Sequence, residues 1–174
     1  MNLALMVVRL VVGALFVGHG SQKLFGAFGG SGPAGTAEAF EMSGLRPGHH
    51  HAYAAGAAEF GGGALLMLGL LTPLAAALLI SVMTAAVITV HARNGIWNTQ
   101  RGFEYNLVLA TVAFAVTCIG PGAWSLDNAI GIDLNGVGWG LAALAVGLLG
   151  GLGAVIYGRL HAGRETHGPS AHPA

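Results

Sequence analysis

Apolar residues run along this chain in five long stretches, at 2–19, 52–71, 74–91, 104–119 and 137–157, separated by polar or glycine-rich segments. A helix needs about 20 residues to cross a bilayer, within a range of about 17–25, so each stretch predicts a transmembrane helix. Two of them are interrupted by a charge, the first by Arg9 and the second by Glu59. Pro73, just after Leu71 and Thr72, predicts a tight turn between the second and third helices, because proline cannot continue a helix already under way. The predicted fold class is an all-α integral membrane protein, a four-helix transmembrane bundle plus a fifth C-terminal transmembrane helix.

The segments between the stretches give the organisation. Residues 1–130 form the expected four-helix core, including a long loop over 20–51. Residues 131–157 add one helix, and 158–174 read as a polar, disordered tail. Within the long loop, 36–42 reads either as a short amphipathic helix at the interface, with Phe40 and Met42 inserted, or as an ordered polar loop. The first stretch reads as a retained helix and not a cleaved signal, because its basic residue, Arg9, sits inside the apolar run.

Composition sharpens this picture. Of 174 residues, 54% are apolar and 8% charged, against about a quarter charged in soluble domains. Lys plus Arg is 7 and Asp plus Glu is 7, so there is no basic face for nucleic acid. The 30 glycines suit closely packed membrane helices. Cys118 is the single cysteine and has no partner in the chain for a disulfide. Lys23, Arg46, Arg93, Arg101, Arg159 and Arg164 all fall on the side of the first loop, third loop and tail. The opposite side has no Lys or Arg. The positive-inside rule then predicts an outside N-terminus and a cytoplasmic C-terminus.

Alternating helix direction brings polar residues from four helices to that basic end. His19, Gln22 and Lys23 close the first helix there, Glu59 enters the second, and His91 ends the third. Asn94 and Trp97 belong to the loop that follows, and Glu104, Tyr105 and Asn106 begin the fourth. At about 1.5 Å per residue, Glu59 lies about 10 Å below the interface and Arg9 about 15 Å below it. Unpaired charges inside a membrane are costly, so Arg9 and Glu59 are expected to pair, with Gly13, Gly56, Gly62 and Gly63 allowing close approach. Each residue also has a structural reading. Arg9 and Glu59 read equally as a purely structural ion pair, Lys23 as an interfacial anchor, Glu104 as an acid at a helix N-terminus, and Trp97 and Tyr105 as belt aromatics. His19 and His91 can equally be interfacial and idle. His49, His50 and His51, with His161, His167 and His172 of the tail, read as solvated residues. No tetrahedral spacing links them, and no metal site is predicted. Gly147, Gly150, Gly151 and Gly153 offer a face for self-association into a homo-oligomer or for packing on the core.

These residues together resemble the DoxX family of small bacterial membrane proteins. The resemblance rests on Arg9-Leu10 through Gly13, His19-Gly20-Ser21-Gln22-Lys23-Leu24-Phe25-Gly26, Phe40-Glu41 with Gly44-Leu45, and Glu59 with Gly61-Gly62. It continues through Gly69-Leu70-Leu71-Thr72-Pro73, His91 to Trp97, Gly102 with Glu104-Tyr105-Asn106-Leu107, Gly120-Pro121-Gly122 and Ser125-Leu126-Asp127. It covers roughly residues 1–130. It implies a four-helix bundle in the bacterial inner membrane, a redox-related role, and relatives linked to thiosulfate:quinone oxidoreduction or to membrane redox complexes with soluble enzymes.

Two functions follow as expectations. In the first, the chain is a membrane component of a quinone-linked redox system. His19, His91, Glu59 and Glu104 would carry protons, while Arg9, Gln22, Lys23, Asn94, Trp97, Tyr105 and Asn106 would bind the quinone head group. The sequence offers no redox centre of its own, so electrons would come from a donor subunit or a soluble redox enzyme. In the second, the chain is a non-enzymatic scaffold that docks soluble redox enzymes at the membrane, and the polar cluster is structural. A small-solute permease is disfavoured by the lack of an internal repeat.

Overall fold

The structure is a computed structural model and describes residues 2–165. Its helices are α1 (Asn2–Phe25), α2 (Gly32–Met42), α3 (Gly48–Leu68), α4 (Thr72–Ala86), α5 (Glu104–Ile119), α6 (Leu126–Ala129) and α7 (Val137–Glu165), and no strand occurs among the described residues. The protein is therefore all-α and of membrane type. Asn2–Phe25, Thr72–Asn94 and Val137–Gly163 are long and apolar enough to cross a bilayer, while α5 is a shorter apolar helix. The 21 residues of α3 include Glu59 and three histidines. Residues such as Leu3, Val11, Leu107, Leu141 and Leu149 are exposed. Such an apolar exterior is a liability in water and is the natural surface against lipid chains.

Three expectations about boundaries change. First, α1 does not stop near residue 19 but runs to Phe25. Second, the expected loop over 20–51 is largely helical, since α2 and the first turn of α3 occupy much of it. In α2, Thr36 is buried while Met42 is exposed, and the helix packs on α3 and α1. Third, the chain stays helical through 158–165, where a disordered tail was expected. His167 and His172 lie outside the described residues.

The turn signalled by Pro73 forms as predicted. Gly69 closes α3 in the left-handed region at φ 61°, Leu71 also has positive φ, and α4 begins at Thr72 with Pro73 in its first turn. At its other end, α4 passes into a π-helical segment, Val87–His91, and then a tight turn at Ala92–Asn94.

α1 and α3 form the most intimate pair in the bundle. Gly13 and Gly20 on α1, seven residues apart, face Gly63 and Gly56 on α3, also seven apart. A Cβ on Gly63 would lie 2.7 Å from the Gly13 carbonyl oxygen and 2.8 Å from the Val17 nitrogen. Only glycine permits this approach. Phe16, Leu66, Leu79, Met83, Leu109 and Val116 fill the core between α1, α3, α4 and α5, and Ala76, Ala77, Ile80, Ala113 and Ala143 seat α7. Three glycines of the α7 stripe pack on the core, since a Cβ on Gly147 would meet Ile80, one on Gly150 would meet Ser81 and one on Gly151 would meet Thr84, whereas Gly153 has nothing within 4 Å.

Candidate functional site

The charge at Glu59 is met by Lys23 and not by Arg9. Lys23 Nζ donates to Glu59 Oε2 at 2.5 Å, with the lysine side chain 24% exposed and the glutamate 5%. The reason is the length of α1. Its extension to Phe25 puts Lys23 on the helix, opposite Glu59, and puts Arg9 sixteen residues from that end, about 24 Å away by helical rise. The glycine-lined α1–α3 crossing then holds the two backbones close enough for a short contact.

Arg9 serves the opposite end of the bundle. Its guanidinium donates to the carbonyls of Pro121 at 2.5 Å and Trp124 at 2.6 Å, and its end lies against Gly69, where a Cβ would collide with it. Beside it, the buried Asp127 accepts from Leu71 N at 2.8 Å, Thr72 N at 3.2 Å and Thr72 Oγ1 at 2.8 Å. Asp127 therefore caps the start of α4 from 55 residues away, satisfying donors that a helix N-terminus leaves free. This latch joins α1, the α3–α4 turn and the 120–127 segment. The expected Arg9–Glu59 pair is thus replaced by two separate arrangements, and Arg9 leaves the candidate site.

The remaining expected residues divide into two groups. Near Lys23, His19 Nδ1 and Gln22 Oε1 are 3.1 Å apart, and Gln22 Nε2 donates to the Phe28 carbonyl at 3.4 Å. On the loop over 92–103, His91 Nδ1 donates to the Arg101 carbonyl at 2.8 Å and Asn94 Nδ2 to the same oxygen at 3.2 Å. Glu104 accepts from Asn98 N at 3.0 Å. His91, Asn94 and Glu104 thereby shape their own loop. Trp97 and Tyr105 are exposed. Asn106 is buried and donates to Met83 Sδ at 3.4 Å.

The Lys23–Glu59 pair forms part of the wall of a cavity of about 260 Å³. α1, α2, α3, α4 and α7 all contribute. Ala54, Ala55, Ala58, Ala85 and Ala154 make the wall smooth and apolar, while Phe40 and Leu45 close one side. Ser81, Thr89 and His51 add polar atoms. Thr89 Oγ1 already bonds to the Ala85 carbonyl at 2.8 Å. Thr89 and Val90, which line the cavity, belong to the π-helical segment; such segments recur at functional sites.

His51 is the residue that the sequence misassigned. It reads as solvated in a run of three histidines, yet it is buried, while His49 and His50 are exposed. α3 begins at Gly48, so residue 51 already follows helical periodicity. It shares the inward face with Ala52, Gly56, Glu59, Gly63 and Leu66. That 3.6-residue spacing was the signal available, once the helix start was placed four residues earlier. Its ring packs between Phe40 and Tyr157, with centroids 5.9 Å away in each case.

A second, larger cavity of about 360 Å³ lies between α4, α5 and α7 and is lined almost wholly by apolar side chains, with Asn106, Thr84 and Thr111 as polar exceptions. The chemistry therefore concentrates in the smaller one, which combines a charged pair, an imidazole and a small-residue wall.

The DoxX family model matches residues 4–92, about half of the chain. The match runs from α1 to the end of the π-helical segment and includes Lys23, His51 and Glu59. No curated protein and no solved structure matches the chain.

Proposed function

This chain belongs to the DoxX family, and from that premise we propose that it is a membrane component of a quinone-linked redox system. The observation that carries the reading is the 260 Å³ cavity with the Lys23–Glu59 pair in its wall. The alanine surfaces suit a flat, largely apolar ring, and the ion pair suits a polar atom on that ring. A bound quinone would supply two-electron, two-proton chemistry at this wall. Lys23 would donate a hydrogen bond to a head-group oxygen and stabilise negative charge there, and Glu59 would exchange protons. His19 and Gln22 stand next to this pair on α1 and would support it. Electrons would be supplied by a partner, a soluble redox enzyme or donor subunit docked at the same end. We orient that end to the cytoplasm of a bacterial inner membrane, with the N-terminus outside, from the one-sided Lys and Arg distribution.

The test is ligand-dependent stability. A quinone analogue at 100 times its Kd adds about 2.7 kcal/mol through linkage, which raises the melting point of a chain this size by several degrees. Ala58→Leu fills the cavity beside Glu59 with an apolar side chain and should remove that shift while the protein stays folded. Absence of any shift in the parent at saturating analogue would sink the reading. The second function, a scaffold for soluble redox enzymes, would then stand, supported by the exposed Ile96 and Trp97 between Arg93 and Arg101.

A further inference from the structure

The larger cavity, of about 360 Å³, is a groove that runs along the helices. Its wall on the α5 side is one stripe, Phe103, Asn106, Leu107, Ala110, Thr111 and Phe114, at the three- and four-residue spacing of a single helix face. That stripe rises about 16 Å, and the α4 wall, from Ile80 to Ile88, about 12 Å. Leu144 and Leu148 of α7 form the third side. Spread over that length, the volume gives a mean cross-section of about 20–30 Å², room for one extended hydrocarbon chain. Leu107 and Leu148 are exposed, so the groove opens on the lipid-facing surface. The hydroxyls of Thr84 and Thr111 are turned back onto the Ile80 and Leu107 carbonyls, which leaves the walls apolar over most of their length.

The basic end of this groove is crossed by the loop over 92–103. His91 and Asn94 both bond to the Arg101 carbonyl, so the backbone of Arg101 is tied to the end of the third apolar span, two residues before Phe103 opens the α5 wall. Arg93 stands in the turn that leaves the π-helical segment. Both arginines are exposed, and neither guanidinium meets a carboxylate among the described residues. Glu104, the nearest acid in sequence, accepts from Asn98 N. Asn106, at the same end and 7% exposed, donates only to Met83 Sδ, a weak acceptor, so its amide has hydrogen-bonding capacity left.

We propose that this groove binds an anionic phospholipid, with one acyl chain between α4, α5 and α7 and the phosphate diester at Arg93 and Arg101. The order of chemistry along the groove is that of the lipid: a long apolar wall, an amide at the level of the ester groups, and guanidinia at the interface, whose planar fork suits phosphate oxygens. Two cations with no acid between them favour a headgroup of net negative charge, whereas a zwitterionic headgroup brings a cation of its own. The proposal is independent of the quinone reading, since the two cavities share no lining residue.

The experiment titrates the purified, delipidated full-length protein in detergent with three probes and reads lipid binding by native mass spectrometry. The probes are dioleoyl phosphatidylglycerol, dioleoyl phosphatidylcholine and dihexanoyl phosphatidylglycerol. The parent should bind the long anionic lipid about ten- to thirtyfold more tightly than the zwitterionic one, and the short-chain lipid more than about tenfold more weakly. Arg93→Gln and Arg101→Gln should each cost the anionic lipid about fivefold and leave phosphatidylcholine unchanged. Arg159→Gln, an exposed cation at the same end of the bundle, should cost nothing. Thr111→Trp fills the groove from its exposed rim and should weaken both long lipids. Equal affinity for the two headgroups overturns the inference and leaves the loop to a protein partner, and a loss in Arg159→Gln as large as in Arg101→Gln overturns it in favour of diffuse charge. Parent-like lipid binding by Thr111→Trp overturns the placement of the chain. If that variant fails to fold, the short-chain comparison decides, and equal affinity for long and short anionic lipids overturns the groove.

Discussion

A double-mutant cycle on Lys23 and Glu59 tests the central contact of the site. At 2.5 Å, and with an effective dielectric of about 20, the gross attraction of the two charges is about 7 kcal/mol. Desolvation consumes several kcal/mol per ion, so the net value of the pair is small while the cost of breaking it is not. The cost is also asymmetric. Lys23→Met strands a glutamate whose side chain is 5% exposed, and the expected loss is about 3–5 kcal/mol. Glu59→Leu leaves a lysine 24% exposed, with a flexible stem that can carry its charge to the interface, so that its loss falls below about 3 kcal/mol. The double replacement should return to within about 1 kcal/mol of the parent, giving a coupling energy of at least about 2 kcal/mol. Unfolding in mixed micelles, followed by the fluorescence of Trp97, Trp124 and Trp139, reads all four proteins at one concentration. Arg9→Met combined with Glu59→Leu is the control and should be additive within about 0.5 kcal/mol, since their partners are separate. A Lys23/Glu59 double variant as poor as the sum of its singles would refute the argument, as would coupling between Arg9 and Glu59.

Other consequences concern the scaffold and its placement. Asp127→Ala removes the cap from the first turn of α4 and should cost about 2–4 kcal/mol, with Asp127→Asn milder because it keeps an acceptor; thermal unfolding of both variants checks this, and an alanine variant within 0.5 kcal/mol of the parent, roughly the spread of neutral surface changes, would contradict it. Gly63→Ala drives a methyl into the backbone of α1 and should cost about 1–3 kcal/mol, whereas Gly61→Ala, with nothing within 4 Å of the added carbon, should be neutral or slightly stabilising; equal melting points for the two would mean α1 and α3 are not in close contact. Reporter fusions after Arg101 and at the C-terminus should both report a cytoplasmic location, and a periplasmic signal from either would reverse the orientation.

The positions of the long helices were readable from hydropathy because lipid-facing and core-facing residues are both apolar and leave long uninterrupted runs. Their ends were less readable. α1 continues through Gly20, Ser21, Gln22 and Lys23, a polar sequence that looks like a loop but is held as helix by packing of Gly20 against Gly56 and Phe60. That six-residue error moved Arg9 to the wrong half of the bundle and hid the true partner of Glu59. The helix-end error at Gly48 likewise turned His51 from a buried wall residue into an apparently solvated one. Asp127 was visible as a motif residue, but its role depends on backbone N–H groups of Leu71 and Thr72, and no local pattern encodes such a contact. Gly56 and Gly63 were legible as sites of close approach, because small residues near a charge have few other uses in a membrane helix.

α7 has a bearing on access. It lies outside the residues matched to the family, yet Ala154 closes one side of the cavity and Tyr157 holds the ring of His51. A bundle built from α1 to α5 alone would carry the same pair of charges at the bottom of a lateral notch open to the acyl chains. With α7 docked on α4, that notch is walled on the side of Ala154 as well. The last long helix thereby completes the wall around a charged pair whose two members both belong to the N-terminal half of the chain.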